Sequence, residues 1–220
     1  MAGFFVTFEG IEGCGKTTQA ELLRQHLEEQ NYIVVFSREP GGTEVGERIR
    51  EVLLDARLRT MDPLAELFLY LAARAQNVRE LIRPALDEGA IVVCDRFADA
   101  SLAYQGVGRA IGLSRVLLLN HTATSGLVPD YTVLLDVPVE VGLERISMRR
   151  TGPAGQDRIE QEELDFHTGV REAYLALAQK SSGRVEVFDG SRSKEELARE
   201  ILTRVKRILE DRKVRSQTAV

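Results

Sequence analysis

The chain has 220 residues, 44% hydrophobic and 29% charged, with 34 acidic side chains against 29 basic ones and a formal net charge of −5. That length suits one full hydrophobic core rather than two, and the acidic balance argues against a nucleic-acid partner, which would call for a basic excess or face. Cys14 and Cys94 are too few for a disulfide framework, no metal-ligand spacing is present, and no apolar run approaches the ~20 residues of a membrane span. Met1 to Phe8 runs into a strand without a basic leader, so a cytoplasmic chain with no membrane partner is expected.

Phe4 to Phe8 predicts a first strand, followed by a Gly-rich turn and a helix from Lys16 to about Gln30 with Leu22, Leu23 and Leu27 on its buried stripe. Ile33 to Phe36 predicts a second strand, and Pro40, Gly41 and Gly42 force a loop after it. Glu44 to Leu58 resumes helical spacing. Asp62-Pro63 has the form of an N-cap with proline at the first helical position, and the helix that follows is expected to bend or break near Pro84.

Ala90 to Cys94 and Tyr131 to Leu135 are short continuous apolar runs, as buried parallel strands require. Val139 to Arg150 reads as helix, Thr151 to Gln156 as a break, and Glu160 to Lys180 as a long helix. Val185 to Phe188 supplies a last strand and Lys194 to Arg212 a terminal helix, with a patternless tail from Val214. Five strands alternating with helices predict a single α/β domain over residues 1–213. Its architecture is a doubly wound five-stranded parallel sheet with ligands at the carboxyl ends of the strands.

Gly10-Ile11-Glu12-Gly13-Cys14-Gly15-Lys16-Thr17 matches G-x-x-x-x-G-K-[ST] in full, after a strand and at the opening of a helix. Glycines let successive backbone N–H groups converge on one phosphate, and the helix adds its positive end. Lys16 can reach the outer phosphates of a triphosphate, the Thr17 hydroxyl can hold Mg²⁺, and Thr18 closes the nucleotide-binding run. Cys14 stands at a position where a small residue suffices.

A P-loop alone does not name the reaction. No Asn-Lys-x-Asp guanine reader is present, which counts against a GTPase. Arg38 and Asp95-Arg96 follow strands; Asp95 is placed for the Mg²⁺ side, and the Arg96 fork suits a phosphate monoester. Arg149-Arg150 through Arg158 surround a Gly- and Pro-bearing break and predict a lid over about residues 149–160. A monophosphate with a second pKa of about 6 needs no general base to attack, so arginines, a lysine and Mg²⁺ suffice. A kinase for another nucleotide or a deoxynucleoside, and a P-loop ATPase acting as a switch, are the alternatives.

The motifs as a set resemble bacterial thymidylate kinases over essentially the whole chain. They are Phe8-Glu9-Gly10, Arg38-Glu39-Pro40-Gly41-Gly42-Thr43, Ala72-Ala73-Arg74, Asp95-Arg96-Phe97, Ser101-Leu102-Ala103-Tyr104-Gln105-Gly106, Pro129-Asp130 and Asp157-Arg158-Ile159-Glu160. The resemblance implies ATP as donor, Mg²⁺, thymidine monophosphate as acceptor in dTTP synthesis, and a homodimer, for which the apolar face from Leu67 to Ala75 and the helix from Ala65 to Leu86 are the candidate surfaces. It implies that Arg38 and Arg96, with Arg50 nearby, hold the acceptor phosphate, and that Glu39 and Asp95 organise the Mg²⁺ side.

By the same resemblance Tyr70 stacks on thymine and Arg74 reads it, an i,i+4 pair with Tyr standing where the family has Phe. Ser101 and Gln105 bond the base edge, and Tyr104 crowds the place of a ribose 2′-OH. Glu12 occupies the loop position where one version of the family carries a catalytic arginine. This chain therefore resembles the lid-arginine version, with Arg149, Arg150 and Arg158 as candidates and Arg145 and Arg192 on the adenine side.

Overall fold

A computed structural model describes residues 3–148, 157–181 and 183–218, with no side-chain description from 213 onward. Five strands, β1 (Phe4–Glu9), β2 (Val34–Arg38), β3 (Ile91–Asp95), β4 (Tyr131–Asp136) and β5 (Val185–Asp189), form one parallel sheet in the order β2-β3-β1-β4-β5. This is the doubly wound sheet expected, with each strand one or two residues from its predicted limits.

Because the strands alternate sides, Phe4, Val6 and Phe8 of β1 join the larger core, with Leu23 and Leu27 of α1 (Lys16–Glu28). Leu197, Ile201 and Val205 of the terminal helix, numbered α9 below, complete that core. Phe5 faces the other way, toward Val78, Ile82, Ala85 and Val92.

Helix α2 (Glu44–Leu54) stops short of the expected Leu58. Asp55 accepts from the Arg57 amide at 2.9 Å and pairs with its guanidinium, a local turn that competes with another helical turn. Helix α3 (Pro63–Asn77) begins as expected, with the Asp62 carboxylate accepting from the Leu64 amide at 2.8 Å. Before Pro84 it widens into a π-helical segment, Val78–Ile82, and resumes as α4 (Arg83–Asp87), so the expected break is a change of winding.

Three segments stand where no element was predicted: α5 (Ala98–Ser101), a second π-helical segment (Leu102–Gly108), and α6 (Leu113–Thr124). Helix α7 (Val139–Met148) follows β4, and α8 (Leu164–Lys180) starts later than Glu160. Ahead of α8, Asp157 accepts from the Ile159 and Glu160 amides at 2.9 Å and folds residues 157–162 into a turn. The terminal helix α9 (Lys194–Thr218) continues past the expected Arg212. Arg149, Arg150 and the break at 151–156 lie outside the described residues.

The P-loop is pressed against α7. A Cβ on Gly13 would lie 2.1 Å from the Gly142 carbonyl oxygen, and one on Gly142 would lie 2.5 Å from that of Glu12. Gly13 also has φ 72°, so both conformation and space demand glycine there. Gly142→Ala should therefore cost about 1–3 kcal/mol, read as a lower denaturant midpoint; an unchanged midpoint would contradict the close approach.

Candidate active site

Parallel pairing sets Phe8, Asp95 and Arg38 in one row at the carboxyl edge of the sheet, with Glu9 one step beyond. The loops leaving that edge wall a cavity of about 390 Å³. Its lining includes Glu12, Gly13, Lys16 and Thr17 from the P-loop, Arg38 and Glu39 after β2, Arg50 of α2, Tyr70 of α3, and Asp95 and Arg96 after β3. Ser101, Tyr104 and Gln105 complete the wall expected to meet the acceptor. Pro40, Asp157, Ile159 and Glu160, to which the sequence attached no role, line it too.

In the P-loop Lys16 Nζ donates to the Ile11 carbonyl at 2.6 Å and lies 3.5 Å from Cys14 Sγ, so the buried lysine is folded back over its own loop. The Thr17 hydroxyl donates to Asp95 Oδ2 at 2.5 Å. The other oxygen, Asp95 Oδ1, is buried without a hydrogen-bond partner among the described residues. A hydroxyl and an underused carboxylate oxygen side by side are hard donors of the kind Mg²⁺ takes. Arg145 joins the donor side, reaching the Gly190 carbonyl at 3.1 Å and that of Gly13 at 3.5 Å. Arg192 pairs with Glu200 near the exposed start of α9, and neither it nor Arg145 is among the residues lining the cavity.

Arg96 is heavily engaged by its neighbours on the wall. Nη1 donates to the Gly10 carbonyl at 2.8 Å and to the Tyr174 hydroxyl at 3.2 Å, and Nη2 donates to Glu12 Oε1 at 2.8 Å. Its backbone has φ 70°, a left-handed conformation unusual for a side chain of this size. The turn is held from beneath: the Arg96 amide donates to the Phe8 carbonyl at 2.9 Å, and the next amide, Phe97, donates to Glu9 Oε1 at 2.7 Å. Glu9 Oε2 accepts from the Tyr174 hydroxyl at 2.8 Å.

Glu12 also accepts from the Tyr104 hydroxyl at 2.7 Å and faces His167 Nδ1 at 3.5 Å. Burial pushes its pKa up, but Arg96, His167, Lys16 and Tyr104 outweigh burial and bring it down to about 2. The residue that the sequence marks only as standing in place of an arginine is thus the anion that binds Arg96 to the loop. His167, buried and distant in sequence, carried no signal that could have found it.

Arg38 reaches Glu47 from a half-exposed position, and Arg50 donates to the Pro40 carbonyl at 2.9 Å. Burial first, then the charge of Arg38, lower the Arg50 pKa, so the fold holds two like charges together on one wall.

Two expected contacts are placed differently. Arg74 is only 1% exposed and lies behind the wall. It donates to Glu39 (2.7 Å), Ser101 Oγ (2.8 Å), Asn120 Oδ1 (2.5 Å) and the Phe97 carbonyl (2.9 Å), so its fork is used inside the protein. Arg158 is likewise buried, donating to the Leu53 carbonyl at 3.1 Å and to Glu66 at 2.6 Å, where it ties residues 157–162 to α2 and α3.

A sequence model of the thymidylate kinase family matches residues 8–201. The chain belongs to the thymidylate kinase family. A thymidylate kinase from Geotalea daltonii is 52% identical over 206 residues, which cover 92% of this chain and 96% of that one. One from Pelotomaculum thermopropionicum is 47% identical over 96% of each chain. Among solved structures, the thymidylate kinase from Ehrlichia chaffeensis superposes with a TM-score of 0.75 at 32% identity, covering 94% of this chain and 99% of that one. The shared thymidylate kinase fold extends across both walls of the cavity.

The buried Glu9 gives the site a pH signature. Burial, reinforced by the charge of Asp99, raises its pKa to about 8 against the opposing pull of Arg96, Tyr174 and the Phe97 amide. The unfolded chain releases this proton near the ordinary value of 4.5, whereas the folded chain keeps it to about 8. The native state binds more protons between those values, so this group's contribution to stability falls as pH rises across them. Glu9→Gln should gain in melting temperature relative to the parent between about pH 5 and about pH 8; a difference that stays constant with pH would contradict the assignment.

Proposed function

We propose that this chain transfers the γ-phosphoryl group of ATP to thymidine monophosphate, giving thymidine diphosphate for dTTP synthesis. The observation that carries this reading is a single cavity wall that joins the P-loop to Arg38, Arg50 and Arg96 and then to Tyr70, Ser101, Tyr104 and Gln105. Lys16, now bonded to the Ile11 carbonyl, exchanges that oxygen for the outer phosphates, and Gly10 to Thr18 wrap the chain of phosphates. Arg145 stands nearest the donor nucleoside.

Thr17 and Asp95 would hold Mg²⁺, which would supply positive charge to offset that of the phosphates. Glu39 lies next along that wall. Its carboxylate is taken by Arg74 and by Asn77 at 3.1 Å, so it acts by holding Arg74 in place.

Arg96, Arg38 and Arg50 receive the acceptor phosphate. An anion between Arg38 and Arg50 relieves the repulsion that their enforced proximity creates, and Arg96 retains free N–H groups beyond those given to Gly10, Tyr174 and Glu12. Tyr70 stacks on the base, Ser101 and Gln105 meet its edge, and Tyr104, anchored by Glu12, closes the sugar side. The phosphate attacks without a general base; the protein's work is alignment and charge. Arg149 and Arg150 supply the lid charge, with Arg158 as the fixed anchor of the returning segment.

Release of ADP should be followed across a panel of nucleoside monophosphates. Turnover should depend on thymidine monophosphate and on Mg²⁺, and Lys16→Ala should lower it at least about 100-fold. ATP hydrolysis with no phosphorylated acceptor would favour the switch ATPase, and equal turnover of other acceptors a broader kinase.

A homodimer completes the reading, on the outer face of the helix named above. Leu67 and Leu71 are buried inside the protomer, whereas Phe68 is 52% exposed and Leu64 38% exposed, one turn apart on the outer face of α3. Val45 and Val52 of α2, which packs against α3, are also exposed. Apolar side chains aligned in this way suit a self-complementary interface. Phe68→Glu should convert a dimeric mass to a monomeric one in light scattering; a monomeric parent protein, or a variant that stays dimeric, would remove the interface.

A further inference from the structure

Glu66, Tyr70 and Arg74 follow one another at i, i+4 and i+8 on the inner face of α3, opposite Ser101 and Gln105. Two rungs join the faces. Arg74 Nη1 donates to Ser101 Oγ at 2.8 Å, and Gln105 Nε2 donates to Glu66 Oε1 at 2.8 Å, with Tyr70 between them on the cavity wall. Glu66 is completely buried. Its other oxygen is held by Arg158 Nη1 at 2.6 Å, and Arg109 Nε lies 3.3 Å from each oxygen. A carboxylate fixed by two guanidiniums has only lone pairs to offer a neighbour.

That fixes the polarity of both rungs. Gln105 must turn its NH₂ group to Glu66, so its carbonyl Oε1, which accepts no hydrogen bond among the described residues, is the end left for the cavity. Ser101 accepts from Arg74, which leaves the hydroxyl proton to donate. An acceptor beside a donor matches a pyrimidine with N3–H next to a C4 carbonyl. A pyrimidine with an unprotonated N3 and a C4 amino group meets the reverse at both points.

We propose that Glu66 is a specificity-determining positioning residue: by orienting the Gln105 amide it selects thymine-type over cytosine-type acceptors. The proposal rests on the reading that Ser101 and Gln105 meet the base. Glu66 touches no substrate; it acts through Gln105. Arg158 belongs to the same device, since it holds Glu66 by the second oxygen while anchoring the segment that borders the cavity at Asp157 and Glu160.

The test is the ratio of kcat/KM for thymidine monophosphate to that for deoxycytidine monophosphate, in the parent, Glu66→Gln, Gln105→Ala and the double variant. A Gln at 66 can donate as well as accept, so the Gln105 amide is free to turn over. The ratio should fall about tenfold or more, chiefly through a higher KM for thymidine monophosphate, with kcat largely kept. The double variant should match Gln105→Ala alone, because one residue works through the other.

An unchanged ratio in Glu66→Gln, or losses that multiply in the double variant, would overturn the role of Glu66 while leaving the kinase reading intact. A parent enzyme inactive on thymidine monophosphate would overturn the kinase reading itself. If Glu66→Gln does not fold, Glu66→Asp decides. It keeps the charge for both arginines but draws it back by one methylene, and the same fall in the ratio is expected; a retained ratio overturns the proposal.

Discussion

The ion pair between Arg96 and Glu12 joins the two halves of the cavity. Arg96 comes from the end of β3, on the side proposed for the acceptor, and Glu12 from the loop after β1, on the side of the triphosphate. At 2.8 Å and largely shielded from water, the pair fixes the distance between donor loop and acceptor arginine. Phosphoryl transfer depends on that separation more than on any acid or base. The cost of burying two charges is met by further bonds: Glu12 takes Tyr104, and Arg96 takes Gly10 and Tyr174. Glu9 then holds the turn that aims Arg96, so a fully buried carboxyl beneath the sheet edge positions a cation above it.

Much of this was legible because parallel sheets collect functional residues by geometry. An apolar run long enough for one strand, followed by Gly-x-x-x-x-Gly-Lys-Thr, leaves little choice for where Lys16 and Thr17 go. Arg38 and Asp95 end separate strands, and parallel pairing brings such ends into one row whatever lies between them. Tyr70, Ser101 and Gln105, singled out by the family resemblance, also lie on one wall.

Depth was not legible. The i,i+4 relation of Tyr70 and Arg74 gives a shared face, but only tertiary packing shows that Tyr70 reaches the cavity while Arg74 is enclosed by Glu39, Ser101, Asn120 and Phe97. The same holds for Arg158, whose partner Glu66 reads in the sequence as one more charge near a helix start. A charged residue buried by its partners carries no hydrophobic pattern, and its partners are 39 and 92 residues away. Residues 98–124 were missed for a different reason. The first of their helices is a single turn that passes into π winding, and small residues at Ala98, Ala100, Ser101, Ala103 and Gly106 blunt the 3.6-residue periodicity there.

The enclosure of Arg74 changes how the base slot should be understood. A guanidinium whose bonds are all internal has little left for a ligand, but it imposes direction on the groups it touches. It supplies a positive centre behind Ser101, just as Glu66 supplies a negative one behind Gln105. Opposite charges placed behind neighbouring polar groups orient them oppositely, and both are sheltered from water, so the field acts at short range in a medium of low polarisability. In the proposed reaction recognition lies in the polarity of the slot before any ligand arrives, and Arg38 and Arg50, held by Glu47 and the Pro40 carbonyl, line the same cavity for the phosphate. The proposed reaction thus divides the wall's labour by depth: buried charges orient the neutral groups assigned to the base, and more accessible charges are assigned to the anion.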